Sequence, residues 1–422
     1  MPEDNIFADA GSGIRSLRNS IYPIISLLAA TWLVLSAYRL LFSMALPGFI
    51  EETTVSYTGI SFLFGALFVG YGVSQYPAGS LADVLGTRIV LVGGILTATL
   101  SLVSLYVASY YGHVFGAVFL VGVGIGSYRS ASQIAASAIA SERTEGTVLG
   151  ILTAANPFGY VVGPVVIGAL IETYGLYTTP LMLAFVPLPL AVLLWYSSER
   201  SSRTDERDHE TPSLRRGLVA FKRNSLQKRT LLVVAFGVAF TTTSNSLIAI
   251  LPLYLLETTS LTLTTGGLYA GGIFGIGTVA ALLGGIYRDR IGAIPVLLAG
   301  FTTAAVSLSL LVFVSSVRYV LVLLCLFSLG LNAILPVRDF VINTHAKHCS
   351  PAYVGGMIGG MRSLCYLGGG IGASVVGVVF GRFGFVMGFG LLVALLIAGA
   401  LCTVLLWYTD RQNAEAGHPV TG

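Results

Sequence analysis

Five ionisable residues stand inside stretches that otherwise carry no charge: Arg39, Arg129, Arg338, Asp339 and Arg362. A guanidinium keeps its proton and offers a planar fork of N–H donors that matches a carboxylate or phosphate. Four such groups against one carboxylate make a net positive site, and its chemistry is recognition of an anion. Arg39 and Arg129 lie nearest the middle of their spans and are the first candidates to bind it. Arg129 and Arg338 are compatible with binding or with a structural pair, and Arg362 lies nearer an edge. Asn245 adds an amide, which in lipid needs a partner. Asp339 is the one carboxylate well inside a span. Arg338 beside it favours the charged form, so it reads as an ion-pair partner more than as a proton carrier.

Bond-making chemistry has no comparable support. The chain contains no HExxH, no GxSxG and no Walker loop. Its four cysteines include no CxxC, so neither a disulfide framework nor a metal site is expected. The expectation is a protein that is not an enzyme and uses no cofactor.

Charges of this kind need elements that hold them in a membrane. The 422 residues are 55% hydrophobic and 10% charged, with a mean hydropathy of +0.84. A soluble domain is about a quarter charged. Twelve apolar runs are each about long enough to cross a bilayer as a helix: 21–49, 57–82, 87–109, 113–140, 146–172, 177–197, 230–256, 264–288, 292–315, 317–345, 353–381 and 384–408. They predict an all-α integral membrane protein with membrane lipid around it. One connection is long and polar, which divides the chain into a half at 1–197, a linker at 198–229 and a half at 230–422. Seventeen of the 23 Lys and Arg residues fall on the linker's side of the membrane, and only Arg318 and Arg382 fall on the other. Cytoplasmic loops carry the excess of basic residues, so the linker and both termini are predicted to be cytoplasmic. The net charge of +4 sits in these loops and does not imply nucleic acid.

The halves repeat each other. Gly79, Asp83 and Gly86 return as Gly285, Asp289 and Gly292, 206 residues later. Farther on the offset is 209, and Arg129 meets Arg338 while Gly159, Gly163, Gly168 and Gly175 meet Gly368, Gly372, Gly377 and Gly384. Two six-helix halves around a basic linker resemble the major facilitator superfamily. The sharpest motif is Gly79, Asp83, Gly86 and Arg88 between spans two and three, with Val84 and Thr87 where the family usually has basic residues. Its second copy is Gly285, Asp289, Arg290 and Gly292. A partial antiporter-like motif, Gly159, Gly163, Pro164 and Gly168, lies in span five and is equally readable as helix packing through small residues.

The resemblance implies twelve helices around a central cavity, with spans 1, 4, 7 and 10 lining it and 2, 5, 8 and 11 flanking it. All five buried charges fall on those spans. It implies that the two Gly–Asp motifs latch the halves on the cytoplasmic side. It also implies a monomer in the cell membrane that moves a small solute by alternating access, here an anionic one, with a coupling proton or counter-solute as partner. The alternative is a drug/proton antiporter of the same superfamily. Such proteins usually carry an acid in span one, where this chain has Arg39, and an Arg early in span four, where it has Val118.

Overall fold

The computed structural model describes residues 23–45, 57–108, 110–140, 145–197, 224–259, 262–314, 316–349 and 354–415. Within them the secondary structure is helical throughout. The elements are α1 (Pro23–Ala45), α2 (Tyr57–Leu85), α3 (Thr87–Tyr106), α4 (Tyr111–Ile139), α5 (Glu145–Tyr174) and α6 (Thr178–Ser197). After these come α7 (Lys228–Thr259), α8 (Leu263–Ile291), α9 (Ala293–Leu311) and α10 (Val317–Cys349). A last helical run, Val354–Glu415, is broken at Gly384, whose φ is 77°, and so forms α11 (354–383) and α12 (385–415). These twelve helices coincide with the twelve predicted spans to within a few residues at most ends. α6 is interrupted at Val186, where Pro187 supplies no backbone N–H. Most of the linker, 198–223, lies outside the described residues.

The Gly–Asp motif folds more tightly than a loop. α2 continues through Gly79 to Leu85 and α3 begins at Thr87, so Gly86 alone makes the turn. The second copy does the same with Gly292, between Ile291 and Ala293. Their φ values are 88° and 90°, a left-handed conformation that is costly for any residue with a Cβ. The other two positive-φ glycines among the described residues, Gly175 and Gly384, are also repeat partners. The backbone therefore carries the repeat at both offsets.

Packing repeats too. In lipid, apolar burial contributes little between helices, and close backbone approach takes its place. A Cβ on Gly94 of α3 would lie 2.8 Å from the Gly124 carbonyl of α4, and one on Gly300 of α9 would lie 2.8 Å from the Gly330 carbonyl of α10. Gly159 and Gly163 bring α5 against Leu33, Ala37 and Leu40 of α1, while Gly368 and Gly372 bring α11 against Val238 and Thr242 of α7. Large apolar side chains such as Phe62, Leu100, Leu282 and Phe313 point outward, as a lipid-facing surface requires.

The halves meet along α2–α11 and α5–α8. The end of the bundle that carries Gly86 and Gly292 is called the turn end here, and the opposite one the far end. α2 and α11 are in contact from Ser61 and Gly377 near the far end to Tyr76 and Gly359 near the turn end. α5 and α8 touch in their far-end portions, where Gly168 approaches Leu263 and Pro164 approaches Gly267. The Ser43 hydroxyl of α1 donates to the carbonyls of Ile248 (2.6 Å) and Ala249 (3.1 Å) of α7. Glu172 of α5 accepts from the Thr264 backbone N–H at 3.0 Å and from the Thr264 hydroxyl. These contacts close the far end.

Candidate functional site

Between the halves, on the turn side of those contacts, lies a cavity of about 70 Å³. This is room for several waters. Arg39 of α1 and Arg338 of α10 both line it, so each half contributes one guanidinium. Asn156 and Tyr160 of α5, Asn245 of α7, Phe274 of α8, Asn332 of α10 and Tyr366 of α11 complete much of the wall.

The first-half side of the site rests on Trp32. It lies seven residues, about two helical turns, before Arg39 and so shares its face. The Tyr128 hydroxyl donates to the Leu28 carbonyl at 2.8 Å and its ring stacks on Trp32 at 6.3 Å. This fixes α4 against α1 and sets Arg129 over the Trp32 ring at 5.0 Å. Arg39 lies 4.0 Å above the Tyr71 ring and 5.7 Å from Trp32, where cation–π attraction compensates part of the cost of burial. Its Nη1 donates to the Tyr160 hydroxyl at 2.9 Å. Tyr71 in turn meets Tyr366 of α11 edge-to-face at 4.8 Å, so the cage crosses between the halves.

The second-half side is an ion cluster. Arg338 Nε and Nη2 both donate to Asp339 Oδ1, at 3.0 and 2.8 Å. Asp339 Oδ2 lies 3.5 Å from Arg362 Nη2. Arg338 also packs over the Phe240 ring at 4.8 Å. Asp339 thus ties α10 to α11 and offsets part of the charge of Arg338 and Arg362. Arg129 and Arg362 do not line the cavity. Arg129 lies against the Trp32 ring and Arg362 against Asp339 instead.

Several buried polar atoms here have no hydrogen-bond partner in the protein: Arg39 Nη2, Arg338 Nη1, Asn245 Nδ2 and Asn156 Oδ1. Each such atom costs about 1–3 kcal/mol if left unsatisfied, and more when charged. Three donors and one acceptor around one small cavity fit an anion that accepts from the guanidiniums and the amide, with a donor group for Asn156.

The remaining candidate residues lie apart from the cavity. Gly285 and Gly292 are on the α8–α9 corner. Asp289 accepts from its neighbour Arg288, which lies 4.2 Å over the Phe340 ring of α10, so these contacts stay within the second half. Arg290 is in the last turn of α8. Arg88 stacks on Trp195 of α6 at 3.7 Å, within the first half. The Asp83 side chain lies outside the described residues. Trp32, Tyr71, Tyr160 and Tyr366 were not singled out from the sequence. Their signal was available in spacing, since Trp32 precedes Arg39 by seven residues and Tyr366 follows Arg362 by four.

A family profile described as Major Facilitator Superfamily matches residues 27–373 and again residues 235–421. No curated protein sequence matches the chain. Among solved structures, a bacterial homologue of the human lysosomal transporter Spinster, in an inward-facing and unoccupied conformation, superposes with a TM-score of 0.72 at 12% identity, covering 93% of this chain and 97% of that one. The nucleoside transporter NupG gives 0.69 at 12% identity, covering 90% and 99%. Identities this low speak for the fold alone. The profile match spans most of the chain and falls a second time on its second half, as an internal repeat should. The chain belongs to the major facilitator superfamily, as a multi-pass membrane protein of a transporter family.

Proposed function

We propose that the protein is a secondary transporter for a small anionic solute, held between Arg39 and Arg338 in the central cavity. One observation carries this reading: two guanidinium-bearing side chains, one from each half, line the same cavity, and each has one buried nitrogen without a hydrogen-bond partner in the protein. An anion that bridges them would couple the halves directly. Rocking of the halves around such a midplane site gives alternating access. With the turn end cytoplasmic, as the basic residues predict, the closed far end is the outer one. Arg129 and Arg362 supply positive potential behind the site, and Asp339 offsets part of it. The units 1–197 and 230–422 would be the moving bodies, with 198–229 as their tether, in a monomer in the cell membrane.

The test is a thermal-shift screen of purified protein against succinate, citrate, glutamate, phosphate, sulfate and glycerol 3-phosphate, with neutral sugars and lipophilic cations beside them. A ligand at a hundred times its dissociation constant adds about 2.7 kcal/mol. Stabilisation by one anion class, lost in Arg39→Ala, is the expected result. Stabilisation by lipophilic cations alone would overturn the anion reading in favour of drug export.

A further inference from the structure

The repeat makes a missing counter-charge visible. Arg338 is followed by Asp339, which takes two hydrogen bonds from it. Its equivalent Arg129 is followed by Ser130. The Ser130 hydroxyl carries no charge and donates to the Gln75 carbonyl of α2 at 2.9 Å. Among the described residues no carboxylate pairs with Arg129, and Asp339 is already held by Arg338 and Arg362. A guanidinium inside a helix bundle needs compensation, because an unpaired buried charge is strongly destabilising. Arg129 has the Trp32 ring at 5.0 Å, and a cation–π contact offsets only part of that cost. The same ring has Arg39 at 5.7 Å, so two like charges crowd one indole. Arg129 does not line the central cavity, so a solute held there is not its counter-ion.

The donors around Arg129 are unused as well. Arg129 Nη1, Trp32 Nε1 and Gln75 Nε2 are all buried without a hydrogen-bond partner in the protein, and Trp32 is only 1% exposed. They come from α4, α1 and α2. The hydroxyls of Tyr128 and Ser130, on either side of Arg129, tie α4 to the Leu28 carbonyl of α1 and the Gln75 carbonyl of α2. The three helices therefore meet at this point. Water would satisfy the N–H groups but leave the charge unpaired. A small spherical anion does both, since it accepts from donors in any direction and needs little room.

We infer that Arg129 holds a chloride ion, with the Trp32 indole and the Gln75 amide as further donors. The ion does for the first half what Asp339 does for the second, as a counter-charge that is bound in place of one that is built in.

The test uses the full-length protein purified in gluconate. Chloride added at constant ionic strength should raise the melting temperature saturably. Arg129→Gln should lose this response. Ser130→Asp, which builds the second half's acid into the first, should lose it too. That variant should melt in gluconate as high as the wild type does in chloride. The ion's place is read from Trp32 itself. The chain has three tryptophans, and Trp195→Phe with Trp407→Phe leaves Trp32 alone. Trp32 is buried, so bromide in bulk solution does not reach it. Bromide bound at Arg129 should quench its fluorescence until chloride displaces it. Arg338→Ala removes a guanidinium of the central cavity and should leave the chloride response in place, which separates this site from the proposed solute site. No response to chloride would overturn the inference, as would a response that survives Arg129→Gln. Loss of the response in Arg338→Ala would also overturn it, because the ion would then lie in the central cavity. If the variant with Trp32 alone does not fold, the melting comparison of wild type, Arg129→Gln and Arg338→Ala decides.

Discussion

Arg129 and Arg338 occupy the same place in the two halves, yet their surroundings differ. Arg338 is followed by Asp339, gives that acid two hydrogen bonds, keeps one buried nitrogen without a partner in the protein and lines the cavity. Arg129 is followed by Ser130, whose hydroxyl is spent on the Gln75 carbonyl at 2.9 Å. With no adjacent acid, Arg129 lies against Trp32, and the first half presents Arg39 to the cavity in its place. The repeat has kept the glycine joints and the close helix contacts. It has let the charge move, from the α4/α10 position in one half to α1 in the other. A fold built from two copies can thus place an asymmetric solute between two unlike walls.

The largest effect should come from the two guanidiniums that line the cavity. Arg39→Ala and Arg338→Ala should each cost about 2–5 kcal/mol in binding the cognate anion, at least roughly thirtyfold in Kd by calorimetry. Arg129→Gln should cost clearly less. Equal losses for Arg129 and Arg338 would mean that the equivalent positions share one role after all.

Next comes Asp339→Asn, which frees Arg338 and Arg362 in a half-buried setting. Melting should fall by the equivalent of about 1–3 kcal/mol, while anion affinity should rise. Ser130→Ala, at the equivalent position of the first half, should do neither. If Asp339→Asn abolished binding instead, the acid would be holding Arg338 in place more than shielding it.

Gly94→Ala and Gly300→Ala test whether the shared packing is equally tight. Each forces a methyl against the carbonyl of a partner glycine and should cost about 1–3 kcal/mol. Similar drops in melting temperature would support a common interface, and a drop in one half only would break the symmetry.

The smallest effect is at the far end, where Glu172 accepts from Thr264 across the halves. This contact is exposed, so Glu172→Gln should cost under about 1 kcal/mol. It should still raise the labelling rate of a cysteine placed at the buried Ser246 of α7, behind this closure. An unchanged rate would show that the α1–α7 contact closes this end by itself.

The architecture was largely legible in the residues. Long charge-free runs can only be membrane helices, and glycines at two fixed offsets exposed the repeat. The presence of Arg39 and Arg338 on lining helices was legible as well. Which arginine faces the cavity was not, because that depends on how each helix is rotated by its packing. Tyr128 anchoring to the Leu28 carbonyl decides it for Arg129, and a contact a hundred residues away has no local signature. The aromatic cage was hidden for another reason. Trp32, Tyr71, Tyr160 and Tyr366 sit in apolar spans, where an aromatic ring is unremarkable until a guanidinium is found above it. The spans were expected to end at residue 82 and resume at 87, and the helices instead run on until Gly86 alone remains between them.

Those corners also have a genetic consequence. At codons 86, 175, 292 and 384 the backbone is left-handed, and glycine is the only encoded residue without a handed α-carbon. Every missense change there introduces an L side chain into a conformation that disfavours it by about 1–3 kcal/mol. For Gly86, Gly175 and Gly384, no neighbouring atom lies within 4 Å of where a Cβ would stand. Open space around the Cβ position is therefore no guide to tolerance at these three codons, where handedness alone already sets a constraint.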